Sequence, residues 1–375
     1  MPKVSVILPS YNHKNYVAEA IESVLSQTFE DFEFLISDDC STDGTAEVIK
    51  NYTDARIKIE LKTINVGASQ NLIDLIKKCK GQYVALINSD DVWMSNRLKE
   101  QITFLDGHTE IAAVFSFSKI IDEHSKEINY GYNDVFTQKN RKQNEWVRHL
   151  FNYGNCLCHP SILIKREVYH EVSSHINGLR QLPDFLMWIE VVKKHPIHII
   201  PKKLVAHRRF TSEGENTSSI TISNSVRDAI ESYFILTERF FEEMSDDLFI
   251  KAFSAEFRNP QAKTRKELLC ERFFLFLADK YYLPKISLQA AVIFYLKIIN
   301  DPEIFILLKD HYKYTIDDFF VLSAQVDLLD LFCVASQEEY IRKNRFKALS
   351  WIMFKSNETK LYRFARKIHK IFTEH

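Results

Sequence analysis

Tyr83-Val84-Ala85-Leu86-Ile87-Asn88-Ser89-Asp90-Asp91 is an aromatic and aliphatic run of five residues that stops on four polar ones. Five residues are too few for a helix, and apolarity at every position reads as a strand covered on both faces. Two similar units lie upstream: Val4-Ser5-Val6-Ile7-Leu8 runs into Pro9-Ser10-Tyr11-Asn12, and residues 32–36 run into Ser37-Asp38-Asp39. Helical spacing fills the intervals. Tyr16, Val17, Ala20, Ile21, Val24 and Leu25 share one face, Thr42-Asp43-Gly44-Thr45 offers caps for a second helix, and residues 72–79 form a third that stops at Gly81. Residues 56–61 alternate as a further strand. Strands alternating with helices predict an α/β fold with a mostly parallel, doubly wound, Rossmann-like sheet. Ligands of such sheets bind beyond the carboxyl ends of the strands, which is where Ser10-Tyr11-Asn12, Asp38-Asp39 and Asp90-Asp91 all fall.

The chain has 375 residues, 46% hydrophobic and 26% charged, with a net charge of −1. That balance gives no overall electrostatic attraction for nucleic acid. Its 8 glycines include no G-x-G and no GxxxxGK[ST], which excludes the phosphate-binding turns of dinucleotide-dependent oxidoreductases and P-loop NTPases. Six cysteines show no paired framework and are expected to be reduced, buried or pocket-lining thiols of a cytoplasmic protein; Cys156-x-Cys158-His159 lacks a second pair at zinc-finger spacing. No apolar stretch reaches the roughly 20 residues that span a bilayer.

The three polar clusters suit a nucleoside diphosphate sugar. Carboxylates repel a diphosphate unless a divalent cation stands between them, and Mn²⁺ or Mg²⁺ prefers oxygen ligands while leaving positions open for substrate phosphates. Asp91 is expected to reach the metal and Asp90 the ribose hydroxyls. Asp39, an acceptor only, complements the N3–H of uracil or thymine, and Tyr11 offers a face for the base to stack on.

In this order the segments Val4–Asn12, Ser26-Gln27-Thr28, Asp38–Thr45, Asn65-Val66-Gly67, Asn71 and Asn88–Asp91 resemble the family 2 glycosyltransferases. The resemblance is dense over the first 110 or so residues and thinner to about residue 215. It implies a GT-A fold and an inverting, metal-dependent transfer of sugar from a UDP-sugar, or a dTDP-sugar, to a hydroxyl of a glycan or lipid-linked acceptor in surface polysaccharide synthesis. Position by position, it implies that Pro9, Ser10, Tyr11 and Asn12 contact the nucleoside and Asp39 the base. Gly67, Asn71, Asp90 and Arg208 are expected to serve the nucleotide-sugar, and Asp91 the metal.

The general base of such a transfer is a carboxylate. Gln181-Leu182-Pro183-Asp184-Phe185-Leu186-Met187-Trp188 resembles the family's base motif and places Asp184 there, with Glu190 as the fallback; His159 is expected on the acceptor side. In Val205-Ala206-His207-Arg208, Phe210 occupies the position of the family's late histidine, with His207 as its substitute. A non-catalytic sugar-nucleotide-binding or scaffold homologue is the alternative reading.

Beyond residue 215 only helical periodicity remains, so residues 1–215 are expected to form the catalytic domain and 216–375 an all-helical C-terminal domain for oligomerisation, acceptor or membrane-surface contact. Residues 341–375 interleave basic residues with Phe346, Trp351, Phe354 and Phe364, a pattern suited to peripheral contact with an anionic membrane.

Overall fold

The computed structural model describes residues 1–129, 135–210, 221–278 and 280–325. The expected boundary at 215/216 and the basic segment 341–375 lie outside them.

Eight strands form one mixed sheet in the order β3-β2-β1-β4-β7-β6-β8-β5. They are β1 (Val4–Ser10), β2 (Phe32–Asp38), β3 (Ile57–Leu61), β4 (Tyr83–Leu86), β5 (Val92–Trp93), β6 (Ala113–Ile121), β7 (Leu163–Lys165) and β8 (Ile197–Arg208). The half β3-β2-β1-β4 is parallel, as the alternation of strands and helices requires. The sheet then departs from the doubly wound expectation. Short β7 runs antiparallel to both β4 and β6, and β5 antiparallel to β8, while β6 and β8 are parallel to each other. Sequence reading missed β6 and β7. Its period-2 face is weak in β6, where all but Phe117 and Lys119 are buried, and β7 is only three residues long.

Around the sheet lie α1 (Val17–Leu25), α2 (Thr45–Lys50), α3 (Ala68–Lys78), α4 (Arg97–Gly107), α5 (Gln143–Tyr153), α6 (Arg166–Ser173) and α7 (Pro183–Lys194). The helical remainder contributes α8 (Ile222–Phe234), α9 (Asp246–Phe253), α10 (Arg265–Leu277), α11 (Pro284–Ile298), α12 (Pro302–Ile306) and α13 (Ile316–Gln325). None of the described helices is long and apolar enough to cross a membrane.

The centre of the sheet is fixed by close backbone approach. Ser5 on β1 donates to Glu33 on β2 and accepts from the backbone N–H groups of Lys80 and Gly81. A Cβ on Gly81 would lie 2.4 Å from the Ser5 nitrogen, so only glycine lets the α3–β4 turn pack here.

One face of the sheet is covered by α1 and α4, whose Ile21, Val24, Leu98 and Leu105 join β-strand residues in a compact core. The core on the other face is continuous from Ile7 and Leu86 through α5 and α7 into the helical remainder as far as Phe319. Phe151 on α5 marks the junction: its ring meets Phe240, Phe241, Phe253 and Tyr281 at centroid distances of 5.2–5.7 Å. The catalytic sheet and the helical remainder therefore bury their apolar faces against each other.

Candidate active site

The carboxyl ends of β1, β2 and β4 deliver the polar clusters to one place. Past β1 the chain turns at Asn12, whose φ of 53° is left-handed, a conformation asparagine tolerates better than most residues. Asn12 works as a staple between loops: its N–H donates to Ser41 Oγ at 2.8 Å and its Oδ1 accepts from the Thr42 N–H at 2.9 Å. Pro9 sits near the end of β1, Tyr11 is 46% exposed, and Ser10 Oγ is buried without a protein partner. A buried hydroxyl that lacks a bond is costly unless something polar arrives to meet it.

Asp39 is almost fully buried, and its two oxygens accept the backbone N–H groups of Val66 and Gly67 at 2.9 and 2.8 Å. It thereby fastens the end of β2 to the entry of α3, where Gly67 holds φ at 88°. Asn71 is committed inward: Oδ1 accepts from Ser37 Oγ at 2.6 Å and Nδ2 donates to the Ser37 carbonyl at 3.1 Å. Its side chain supports the pocket wall from behind.

The acid pair divides sharply. Asp91 is fully enclosed: Oδ1 accepts from the Arg208 N–H at 2.8 Å and pairs with His207 Nδ1 at 2.9 Å, and Oδ2 accepts from Asn88 Nδ2 at 2.9 Å. Asp90 keeps part of its surface open. Burial would raise both carboxyls. For Asp91 the imidazole of His207 and the hydrogen bonds overcome that burial and hold it below the usual range, whereas for Asp90 the charge of Asp91 adds to burial and pushes it up. His13 stands nearby, its Nδ1 2.7 Å from Ser89 Oγ.

Arg208 is a strut. Its guanidinium lies over the Tyr16 ring and donates to the Asp90 and Asp122 carbonyls, Glu19 and Ser125 Oγ, so its donors are engaged within the protein. Phe210 is buried and packs on Tyr16 at 5.2 Å, away from any ligand role. Beneath the pair, fully buried Arg97 stacks on Trp93 at 3.6 Å and donates to the Ile162 carbonyl at 2.8 Å.

Across the cleft, Asp184 opens α7. Its Oδ2 accepts from Asn155 Nδ2 at 2.8 Å and its Oδ1 from the Phe185 N–H at 2.8 Å. His159 lies between the two sides, its ring edge-on to Trp188 at 5.4 Å. Burial pushes His159 below the usual imidazole range, and the negative charges of Asp184 and Asp91 both pull it back up. Glu190 faces away from the cleft, paired with Lys193 at 2.9 Å and Arg239 at 3.0 Å. Cys156 and Cys158 are buried thiols pushed up to about 12 by burial, far from the thiolate form a metal needs.

Sequence reading did not find His13, Arg97 or Asn155. Each is a lone polar residue whose importance arises only when distant segments meet.

The family model for glycosyl transferase family 2 matches residues 5–172. The putative teichuronic acid biosynthesis glycosyltransferase TuaG of Bacillus subtilis is 39% identical over 119 residues, 31% of this chain and 46% of that protein. The UDP-Glc:alpha-D-GlcNAc-diphosphoundecaprenol beta-1,3-glucosyltransferase WfaP of Escherichia coli is 29% identical over 52% of this chain and 72% of its own length. An uncharacterized glycosyltransferase of Rickettsia felis is 28% identical over 67% of this chain, but the match spans only 40% of that protein. Among solved structures, S. aureus TarS 1-349 in complex with UDP-GlcNAc superposes with a TM-score of 0.54 at 18% identity, covering 91% of this chain and 92% of TarS 1-349. Residues 5–172, which contain these strand ends, form a family 2 glycosyltransferase domain, and the chain has the GT-A fold.

Proposed function

We propose that the protein transfers a sugar from a UDP-sugar, or a dTDP-sugar, to a hydroxyl of a glycan or lipid-linked acceptor, with inversion, in surface polysaccharide synthesis. The observation that supports this reading is that Tyr11, Asp39 and Asp90–Asp91 all follow the carboxyl ends of the neighbouring parallel strands β1, β2 and β4 in a chain with the GT-A fold. In this reading Asp90–Asp91 serves the diphosphate and Asp184 the acceptor hydroxyl. The printed activity of WfaP supports a lipid-linked acceptor, and the basic, aromatic composition of residues 341–375 supports work at a membrane surface.

The donor set fits a divalent cation shared with substrate. Among the described residues no three His, Cys, Asp or Glu side chains form a closed cage. Mg²⁺ and Mn²⁺ commonly bind one or two protein ligands plus substrate phosphates, which is the mode an open acid pair can serve. The enclosure of Asp91 moves the outward ligand role to Asp90. Asp91 instead orients His207 through Nδ1 at 2.9 Å, the arrangement in which a carboxylate positions a ligating histidine. The cation, when bound, supplies positive charge against the diphosphate that leaves.

The protein's own groups do the rest. Tyr11 presents its exposed ring to the base, and Ser10 Oγ offers its free donor and acceptor to the nucleoside. Asp39 contributes by fixing the loop pair that borders this pocket and keeps remaining lone pairs for a base N–H. Asp184 takes the proton of the acceptor hydroxyl as its oxygen bonds to the anomeric carbon, while the bond from that carbon to the diphosphate oxygen breaks and UDP departs. Asn155 holds the base carboxylate in place meanwhile.

The test is calorimetric titration of UDP, dTDP and GDP with manganese, on the wild type and on Asp90→Ala, joined to steady-state UDP release. Binding of UDP or dTDP that weakens at least tenfold in Asp90→Ala is expected; equal affinity in the variant overturns the diphosphate assignment.

A further inference from the structure

Among the described residues, α8 of the helical remainder meets the segment that leads into α7. Leu182 at the N-cap of this helix supplies no side-chain cap, and Pro183 follows it. The backbone N–H groups ahead of it need acceptors, since the first turn of a helix leaves its donors unpaired. They find one carboxylate. Glu231 on α8 accepts from the N–H groups of Arg180, Gln181 and Leu182, each at 2.8 Å. Asn224, two helical turns earlier on the same face, accepts from Gln181 Nε2 at 3.2 Å. The three residues held by Glu231 stand one to three positions before Pro183, and Asp184 comes next. Glu231 itself is almost fully buried.

We propose that Glu231 is a positioning residue for the transfer reaction, setting the angle at which α7 presents Asp184. The inference rests on the reading of Asp184 as the general base. Its physical content is a chain of two rigid links. Glu231 fixes the turn at 180–182, and Asn155 with the Phe185 N–H fixes the carboxylate that the turn leads into. A negative charge at the N-terminus of α7 is also favoured by the helix dipole, so the cap is stronger as carboxylate than as amide. Glu231 on this account makes α8 a working part of the catalytic centre, acting through Asp184.

The experiment compares wild type, Asp184→Asn, Glu231→Gln and Glu231→Asp as full chains, with UDP-glucose and UDP-GlcNAc as donors and manganese present. Three quantities are read: kcat and donor KM for UDP release with water or a diphospho-GlcNAc alkyl lipid as acceptor, UDP affinity, and hydrogen exchange of peptides covering 180–186. In Glu231→Gln one or more of the three N–H groups faces an amide –NH₂ in place of an oxygen. The expected result is faster exchange at 180–182, a kcat lower by about 10- to 100-fold, as a displaced catalytic group costs, and donor KM and UDP affinity within about twofold of wild type. Glu231→Asp, which keeps the charge but withdraws it by one methylene, is expected between the two, and it carries the test if the glutamine variant does not fold. Unchanged exchange at 180–182 overturns the proposal whatever the turnover. So does an unchanged kcat in both Glu231 variants while Asp184→Asn is inactive, an outcome that leaves the base assignment standing. If Asp184→Asn turns over like wild type, the base assignment fails and the positioning role fails with it.

Discussion

The two walls of the cleft are held by different means. On the wall made by the ends of β1, β2 and β4, side chains bind backbone of neighbouring loops: Asn12 to residues 41 and 42, Asp39 to residues 66 and 67, Asp91 to residue 208. Most partners there lie within about 30 residues of one another along the chain. On the opposite wall Asn155 reaches Asp184 over 29 residues, a span like those of Asn12 and Asp39, but Glu231 reaches residues 180–182 over 49 to 51 and does so from the helical remainder. The first wall is a set of loops on a parallel sheet, and the proposed function gives it the nucleotide. The second is tied to the helical remainder through Glu231, and the proposed function gives it the acceptor.

The largest effect that sharpens this contrast falls on the second wall. Asp184→Asn should lower kcat by about 10³-fold, within the range of a lost general base, with donor KM nearly unchanged. Steady-state UDP release measures it, and a donor KM that rises in parallel with the loss would place Asp184 on the nucleotide side. Next in size is the junction: Phe151→Ala should cost about 3–5 kcal/mol, the usual loss for truncating a buried phenylalanine. Because the core is continuous across the junction, thermal unfolding of the variant should remain one transition at lower temperature. Two separate transitions would show that the sheet and the helices melt independently.

A smaller effect concerns Asp228, one turn before Glu231 on α8. Burial and then the charge of Glu231 push its carboxyl up from the usual value of 3.8 to about 6. A folded-state value above the unfolded one means that its contribution to stability is complete below about pH 4 and is lost as pH rises through 6. Asp228→Asn should therefore stabilise the protein at pH 8 by about 1–2 kcal/mol and have little effect near pH 4, as urea titrations at the two pH values would reveal. Stabilisation of equal size at both would remove the electrostatic cause. Smallest is Asp39→Asn on the first wall. Losing one of two backbone acceptors should loosen the turn at 65–67 and weaken UDP binding roughly tenfold, the scale of one unpaired N–H; unchanged affinity by calorimetry would detach Asp39 from the nucleotide pocket.

The first wall was legible in the sequence because strand, polar turn and helix follow one another without interruption. Val4–Asn12 and Tyr83–Asp91 announce both the element and the place where it ends. What the residues did not announce was the direction each side chain takes. Asp90 and Asp91 are adjacent carboxylates with equal chemistry, and only β8 arriving with His207 and Arg208 decides that Asp91 is enclosed and Asp90 open. Asn71 and Arg208 likewise look like ligands in sequence and serve as supports in the fold, because Ser37 and Glu19 reach them first. Asp184 was readable from the local pattern that begins α7, whereas Asn155 and Glu231 carry no local pattern at all. Their roles exist only through contacts of 29 residues and more along the chain.

The ring of Phe151 has a consequence for how such a protein can be recombined. A chimera that exchanges the sheet for that of a relative while keeping α8–α11 would cut through a cluster of five aromatic rings and through the cap on α7 in the same stroke. The unit that can be exchanged without breaking these contacts is therefore α5, α7 and the helical remainder together, grafted onto the strands of the sheet.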